Sequence, residues 1–297
     1  MFKKLWQQLT GLYDEDEAKA IVRWLLEVRF GLTWTDIVCG KVDELSSDDQ
    51  ATLETMMQRL EQGEPVQYVV GLAEFCDRMF HVEPGVLIPR PETCELCQWV
   101  LEERGMKCEV RGSRYEVRDC YILDIGTGSG CIACTLAAEM PEARVTAWDI
   151  SEKALAVARD NAKRSGVDVK FEKQDALCPL EERGARCEER GTKREKWDII
   201  VSNPPYICEK ERTTMEQNVL NHEPHTALFV PDDDPLLFYR AIARYGRQAL
   251  EPDGWLYFEI NPLYANDMQH ILSMMSYHNI ELKTDQFGKQ RMIRAQR

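Results

Sequence analysis

Between Cys120 and Ala133 the chain reads "CYILDIGTGSGCIA", a short apolar run, then glycines at alternate positions, then residues that suit a helix. Gly126, Gly128 and Gly130 permit a tight turn and close backbone approach, and the helix start beyond them presents free amide donors. The segment therefore predicts strand, turn and helix in immediate succession. Further apolar strands, "ARVTAWDI", "VKFEKQD", "WDIIVSN" and "GWLYFEI", alternate with helical stretches such as "SEKALAVARDNAKRSG". This alternation predicts an α/β domain whose parallel sheet carries helices on both faces, with the ligand at the carboxyl ends of the strands.

A dinucleotide fingerprint, GxGxxG, would place its third glycine at 131, where this chain has Cys131. The GxGxG spacing, with Thr127 and Ser129 between the glycines, instead resembles the first motif of class I S-adenosylmethionine-dependent methyltransferases. Asp149 ends the next strand, where a carboxylate is placed to accept from both hydroxyls of a ribose. A third strand is expected to end at Asp175, which either faces the adenine end of the cofactor or caps a turn.

"VSNPPYIC" ends the fourth strand of this domain with two residues that cannot donate backbone hydrogen bonds. It falls beside the glycine loop at the expected reversal of strand order. An amide NH2 is a poor nucleophile because its lone pair is delocalised. It reacts when acceptors hold both hydrogens and turn the lone pair toward the methyl donor. Asn203 Oδ1 and the Pro204 carbonyl are candidates for those acceptors, Pro205 stiffens the backbone, and Tyr206 is placed to cover the flat group by stacking. The bland reading is a proline-capped strand end.

Two domains are expected in 297 residues. Residues 1–72 show apolar positions at helical spacing in "AKAIVRWLLEVRF" and "DQATLETMMQRLEQG"; "LSSDDQ" supplies start signals and Gly63 with Pro65 a stop. Residues 73–90 read as a hairpin linker with its turn near Glu83, Pro84 and Gly85. Residues 91–297 form the α/β domain.

The 37 basic against 51 acidic side chains give a net charge of −14, a field that disfavours a phosphate backbone as partner. The opening "MFKKLWQQLT" has no long apolar core and no small-residue cleavage site, and no stretch approaches the roughly 18 apolar residues of a membrane span. A soluble, cytoplasmic protein with no membrane partner is expected. The 11 cysteines are scattered, which fits a disulfide framework poorly. Cys94/Cys97 and Cys131/Cys134 have zinc-ligand spacing, yet both pairs fall in expected helices as small buried hydrophobes, so no metal is expected. "ERGMKCEVRGSRYEVRD" at 103–119 resembles "ERGARCEERGTKREKWD" at 182–198; as each leads into a strand, both are expected at the amino-terminal edge of the sheet. Asp232, Asp233 and Asp234 read as a solvated loop and helix start.

With these residues in hand the chain resembles the HemK (PrmC) family, which methylates the glutamine amide of the Gly-Gly-Gln motif in peptide-chain release factors. The likeness runs through "EPVQYVVG", "FHVEPGVLIPRPET", "ILDIGTGSGCIA", "WDIIVSNPPYI", "ALFVPDDDPLLFYRAIA" and "FGKQRMI". It implies a Rossmann-like, mostly parallel seven-stranded sheet with an added antiparallel strand, a helical bundle that helps hold class I release factors, and S-adenosyl-L-methionine as cofactor. It also implies that Gly126 to Gly130, Asp149 and Asn203 contact the cofactor and that Asn203 to Tyr206 grip the glutamine. The family often carries an aromatic after the third-strand aspartate, where this chain has Ala176. Arg90 is expected at the cofactor cleft, and Thr93 as a helix cap. NPPY also serves adenine-N6-type nucleic-acid methyltransferases, the rival reading. A binding protein without catalysis is a second rival.

Overall fold

The computed structural model describes residues 1–110, 120–177 and 196–297. The similar segments 103–119 and 182–198 fall largely outside them, and their expected position at the sheet edge lies outside the described residues.

The first 70 residues form helices α1 Phe2–Gln8, α2 Glu15–Phe30, α3 Trp34–Val38, α4 Ser47–Glu61 and α5 Val66–Val70. Asp14 accepts from the Asp16 and Glu17 amides to start α2, and Ser46 accepts from Asp49 N to start α4. Each cap satisfies an amide that the helix itself leaves unpaired. Val22, Leu25 and Leu26 of α2 pack with Leu53, Met57 and Leu60 of α4 in one core. Full burial of each such side chain stabilises by about 1.5–3 kcal/mol.

Strands β1 Leu72–Phe75 and β2 Arg78–His81 pair antiparallel as a hairpin. Its turn is Cys76–Asp77, with φ of 47° and 59°, a two-residue left-handed turn that matches strand twist. The expected turn at Glu83, Pro84 and Gly85 is a separate one beyond the hairpin, closed by Val86 N donating to Glu83 O. The Pro-Gly signal outweighed a Cys-Asp pair that carries little turn signal of its own.

Helix α6 Pro91–Val110 opens with proline at its first position, where the missing N–H costs nothing. There follow β3 Cys120–Ile125, α7 Cys131–Glu139, β4 Ala143–Asp149, α8 Glu152–Ser165, β5 Val169–Lys173, β6 Trp197–Ser202, β7 Ile207–Cys208, β8 Phe229–Val230, β9 Leu250–Glu259, β10 His278–Thr284 and β11 Gln290–Gln296. Seven of these strands form one sheet in the order β10-β11-β9-β6-β3-β4-β5. The neighbours from β9 to β5 are parallel, whereas β11 runs antiparallel to both β9 and β10.

Alternation along the strands feeds two cores. Ile122 joins Leu96, Val100 and Ile132 on one face, while Leu123 joins Tyr239, Ile242 and Met268 on the other. Cys97, Cys131 and Cys134 pack in the first core as expected of small apolar side chains. Cys94 packs against the same core but is only half-buried, and it is no free thiol: it is bonded to Cys76, joining the hairpin turn to α6 across a sequence separation of 18. Among the described residues no helix is long and apolar enough to cross a membrane.

Candidate active site

The reversal of strand order lies between β3 and β6, since β3 has β4 on its other side. Ser202 Oγ donates to Ile125 O at 2.6 Å, so the two strands end in register. The glycine loop after β3 and the NPPY stretch after β6 therefore open side by side, as expected.

The loop turns sharply because Gly126 N and Thr127 N both donate to Trp148 O, at 2.8 and 2.9 Å. Thr127 Oγ1 donates to Asp124 Oδ2 at 2.6 Å beneath it. Burial pushes the Asp124 carboxyl up to about 7. Gly130 caps α7 at φ 80°, and a Cβ there would lie 2.9 Å from Ala158 Cβ. Ser129 O accepts from Asn161 Nδ2, and Asn161 also exchanges hydrogen bonds with both His81 backbone groups. Asn161 thus ties the loop to the hairpin. Its signal was a polar residue on the buried face of α8, beside Ala158 and Ala162.

Asp149 ends β4 as expected, and its carboxylate holds two backbone amides: Oδ2 accepts from Gly128 N at 2.9 Å and Oδ1 from Ser151 N at 2.8 Å. Burial pushes this carboxyl up and those amides pull it down. Two acceptors with about four lone-pair sites retain capacity for further donors. β5 stops at Lys173, two residues short of the expected end. Asp175 is exposed beyond it and accepts from Leu177 N, the turn-cap alternative, while Ala176 packs against the second core.

On the facing side, Asn203 Nδ2 donates to Thr93 Oγ1 at 3.0 Å. Thr93 Oγ1 donates to Glu259 Oε2 at 2.6 Å, and Tyr206 Oη donates to Glu259 Oε1 at 2.9 Å. Thr93 lies inside α6 rather than at its cap, since the helix begins at Pro91. Burial pushes Glu259 up, and the two hydroxyls pull the other way. Tyr206 is half-buried, its hydroxyl tethered and its ring packed on the second core. Pro204 and Pro205 bridge Asn203 to Tyr206. Arg90 is paired with Glu223, which also accepts from Ile88 N, so "LIPR" and "HEP" meet. Asp232 accepts from Lys210 N and Asp234 pairs with Arg240, as a loop leading into a helix.

Glu259 and Glu223 were missed from sequence because a lone glutamate ending an apolar strand, or sitting between histidine and proline, resembles a surface residue. Only the partner 166 or 133 residues away gives it meaning.

The inner edge of the loop faces open space: a Cβ added at Gly126 or Gly128 meets nothing within 4 Å. That cradle, beside a strand-end carboxylate, fits a nucleoside-bearing cofactor with a slender chain against the glycines.

Residues 114–227 match the methyltransferase small domain, and residues 3–71 match the PrmC N-terminal domain. A solved 16S rRNA N2 G1207 methyltransferase of T. thermophilus, at 18% identity and TM-score 0.50, covers 76% of this chain and 49% of its own. The fold is that of a class I S-adenosylmethionine-dependent methyltransferase. A release factor glutamine methyltransferase of Bacteroides thetaiotaomicron is 45% identical over 98% of this chain and 97% of its own length. That of Flavobacterium psychrophilum is 38% identical over 97% and 95%. The chain belongs to the release factor glutamine methyltransferase family.

Proposed function

We propose that this protein methylates the side-chain amide nitrogen of the glutamine in the Gly-Gly-Gln motif of class I peptide-chain release factors, acting in the cytoplasm. The observation that carries this reading is the pairing of a glycine cradle with an asparagine whose Nδ2 is engaged and whose Oδ1 accepts from no described group. S-adenosylmethionine, when bound, supplies an electrophilic methyl group on sulfur. Gly126 to Gly130, with Thr127 and Ser129, and Asp149 are the residues that would hold it, with Asp175, Ala176, Arg90 and Asn203 around them.

Asn203 Oδ1 and the Pro204 carbonyl accept the two amide hydrogens of the glutamine and so fix its plane. Pro205 limits the freedom of the backbone that carries them, and Tyr206, anchored through its hydroxyl, covers the amide. The nitrogen releases its proton to water after the methyl has arrived, so no buried base is needed before attack. Positioning carries the rate. Residues 1–72 are proposed to help hold the release factor, with 73–90 as linker and 91–297 as the catalytic domain.

Transfer of labelled methyl to purified release factor tests this, beside a Gln→Ala variant of its Gly-Gly-Gln motif and beside DNA and RNA. Label on the wild-type factor alone is expected. Label on nucleic acid would favour the amino-methyltransferase rival, and tight cofactor binding with no transfer would favour a binding protein.

A further inference from the structure

An asparagine amide has an oxygen end and a nitrogen end of nearly equal shape, and only the oxygen end serves an amide substrate. Something outside Asn203 must choose which end faces the cleft. A threonine hydroxyl has a single hydrogen to give. Thr93 gives it to Glu259 Oε2, so toward Asn203 its oxygen can only accept. Asn203 turned end for end would set Oδ1 against Thr93 Oγ1, two acceptors with no hydrogen between them.

The choice is therefore made one step further back, by a carboxylate that is 1% exposed. The same carboxylate takes the hydroxyl hydrogen of Tyr206 on its other oxygen. One glutamate at the end of β9 thus orients both ends of the NPPY stretch. Neither Thr93 nor Glu259 needs to touch the substrate to do this.

We propose, on the basis of the amide methylation set out above, that Thr93 and Glu259 are positioning residues that lock the Asn203 amide with Oδ1 toward the cleft. The lock makes the pocket selective for groups that present N–H donors.

The test uses the full-length protein with Thr93→Val, Thr93→Ser and Glu259→Gln. Thr93→Val keeps the shape and removes the acceptor, whereas Thr93→Ser restores it. With release factor as substrate, Thr93→Val and Glu259→Gln are expected to lower kcat by about 10- to 100-fold through misorientation, and Thr93→Ser by no more than about threefold. KM for the factor and Kd for S-adenosylmethionine are expected to stay within about threefold of wild type, because uniform binding is not removed.

A second readout does not depend on turnover. In protein labelled with 15N at asparagine, the Asn203 side-chain amide is expected to show slowed hydrogen exchange in wild type and Thr93→Ser and to lose it in Thr93→Val. Wild-type kcat in Thr93→Val, equal impairment in Thr93→Ser, or unchanged amide exchange in Thr93→Val would overturn the lock. A parallel loss of cofactor affinity and melting temperature would also overturn it, by marking a structural role. A wild-type protein that shows the exchange pattern yet leaves release factor unlabelled would support the lock and overturn only the proposed substrate.

Discussion

The backbone N–H of Gly128 donates to Oδ2 of Asp149 across 2.9 Å, so the glycine loop and the end of the neighbouring strand are held as one piece. Asp149 is therefore both a candidate ribose acceptor and a brace for the loop. Asp149→Ala is expected to weaken S-adenosylmethionine binding by roughly 10- to 100-fold, the range for losing hydrogen bonds to a charged group. Isothermal titration calorimetry checks it, and unchanged affinity would remove Asp149 from the cofactor site.

Gly128 and Gly130 are expected to fail differently when replaced by alanine. At Gly130 the new Cβ meets Ala158 Cβ at 2.9 Å, at Gly128 it meets nothing within 4 Å, and both positions have positive φ. Gly130→Ala should therefore lower stability by about 1–3 kcal/mol through overpacking and backbone strain. Gly128→Ala should cost about 1–2 kcal/mol of strain and lose cofactor affinity disproportionately. Urea unfolding beside cofactor titration separates the two.

Asn203→Ala removes the acceptor while sparing the strand that precedes it. It is expected to lower kcat by at least about 100-fold, the scale of losing one positioned transition-state partner, with the melting temperature little changed. Normal turnover by this variant would rule out amide positioning at residue 203.

Asp124 makes stability depend on pH. Its carboxyl is pushed from 3.8 up to about 7 by burial, so the unfolded chain loses this proton first as pH rises. The group's favourable contribution is whole below about pH 4 and is lost as pH climbs through about 7, at most about 4 kcal/mol by linkage. Asp124→Asn cannot titrate. Urea midpoints of wild type relative to that variant should fall between pH 4 and 7, and a parallel course would show that Asp124 ionises normally.

The bond between Cys76 and Cys94 ties the hairpin to α6 over a separation of 18 residues. Reduction is expected to lower stability by up to about 3 kcal/mol, the loop-closure value for a ring of this size. Thiol counting by alkylation and mass spectrometry, with and without reductant, checks the pairing, and Cys76→Ser should reproduce the shift in melting temperature.

Much of this was legible in sequence because the signals were local. The strand, glycine turn and helix around Gly126, the acid at Asp149 and the proline-stiffened end of β6 each announce themselves within about a dozen residues. The errors were local too. Pro84 and Gly85 drew the hairpin turn away from Cys76 and Asp77, and Asp175 was assigned to a strand that ends at Lys173. What sequence alone did not reveal was pairing at a distance. Thr93 was expected as a helix cap, whereas it gives its hydroxyl hydrogen to Glu259, and nothing in the helical stretch around Asn161 signals that it joins Ser129 to His81.

The hydrogen bonds that shape the NPPY pocket close loops of 53, 110 and 166 residues. Such closures have little local support and are slow to find during folding. A fragment that stops before Glu259 forms neither bond of the carboxylate, however well its strands and helices assemble. Pocket formation therefore belongs to the late events of folding, and a probe placed at Tyr206 would report completion of the native state where backbone signals from β3 or α8 would report its beginnings.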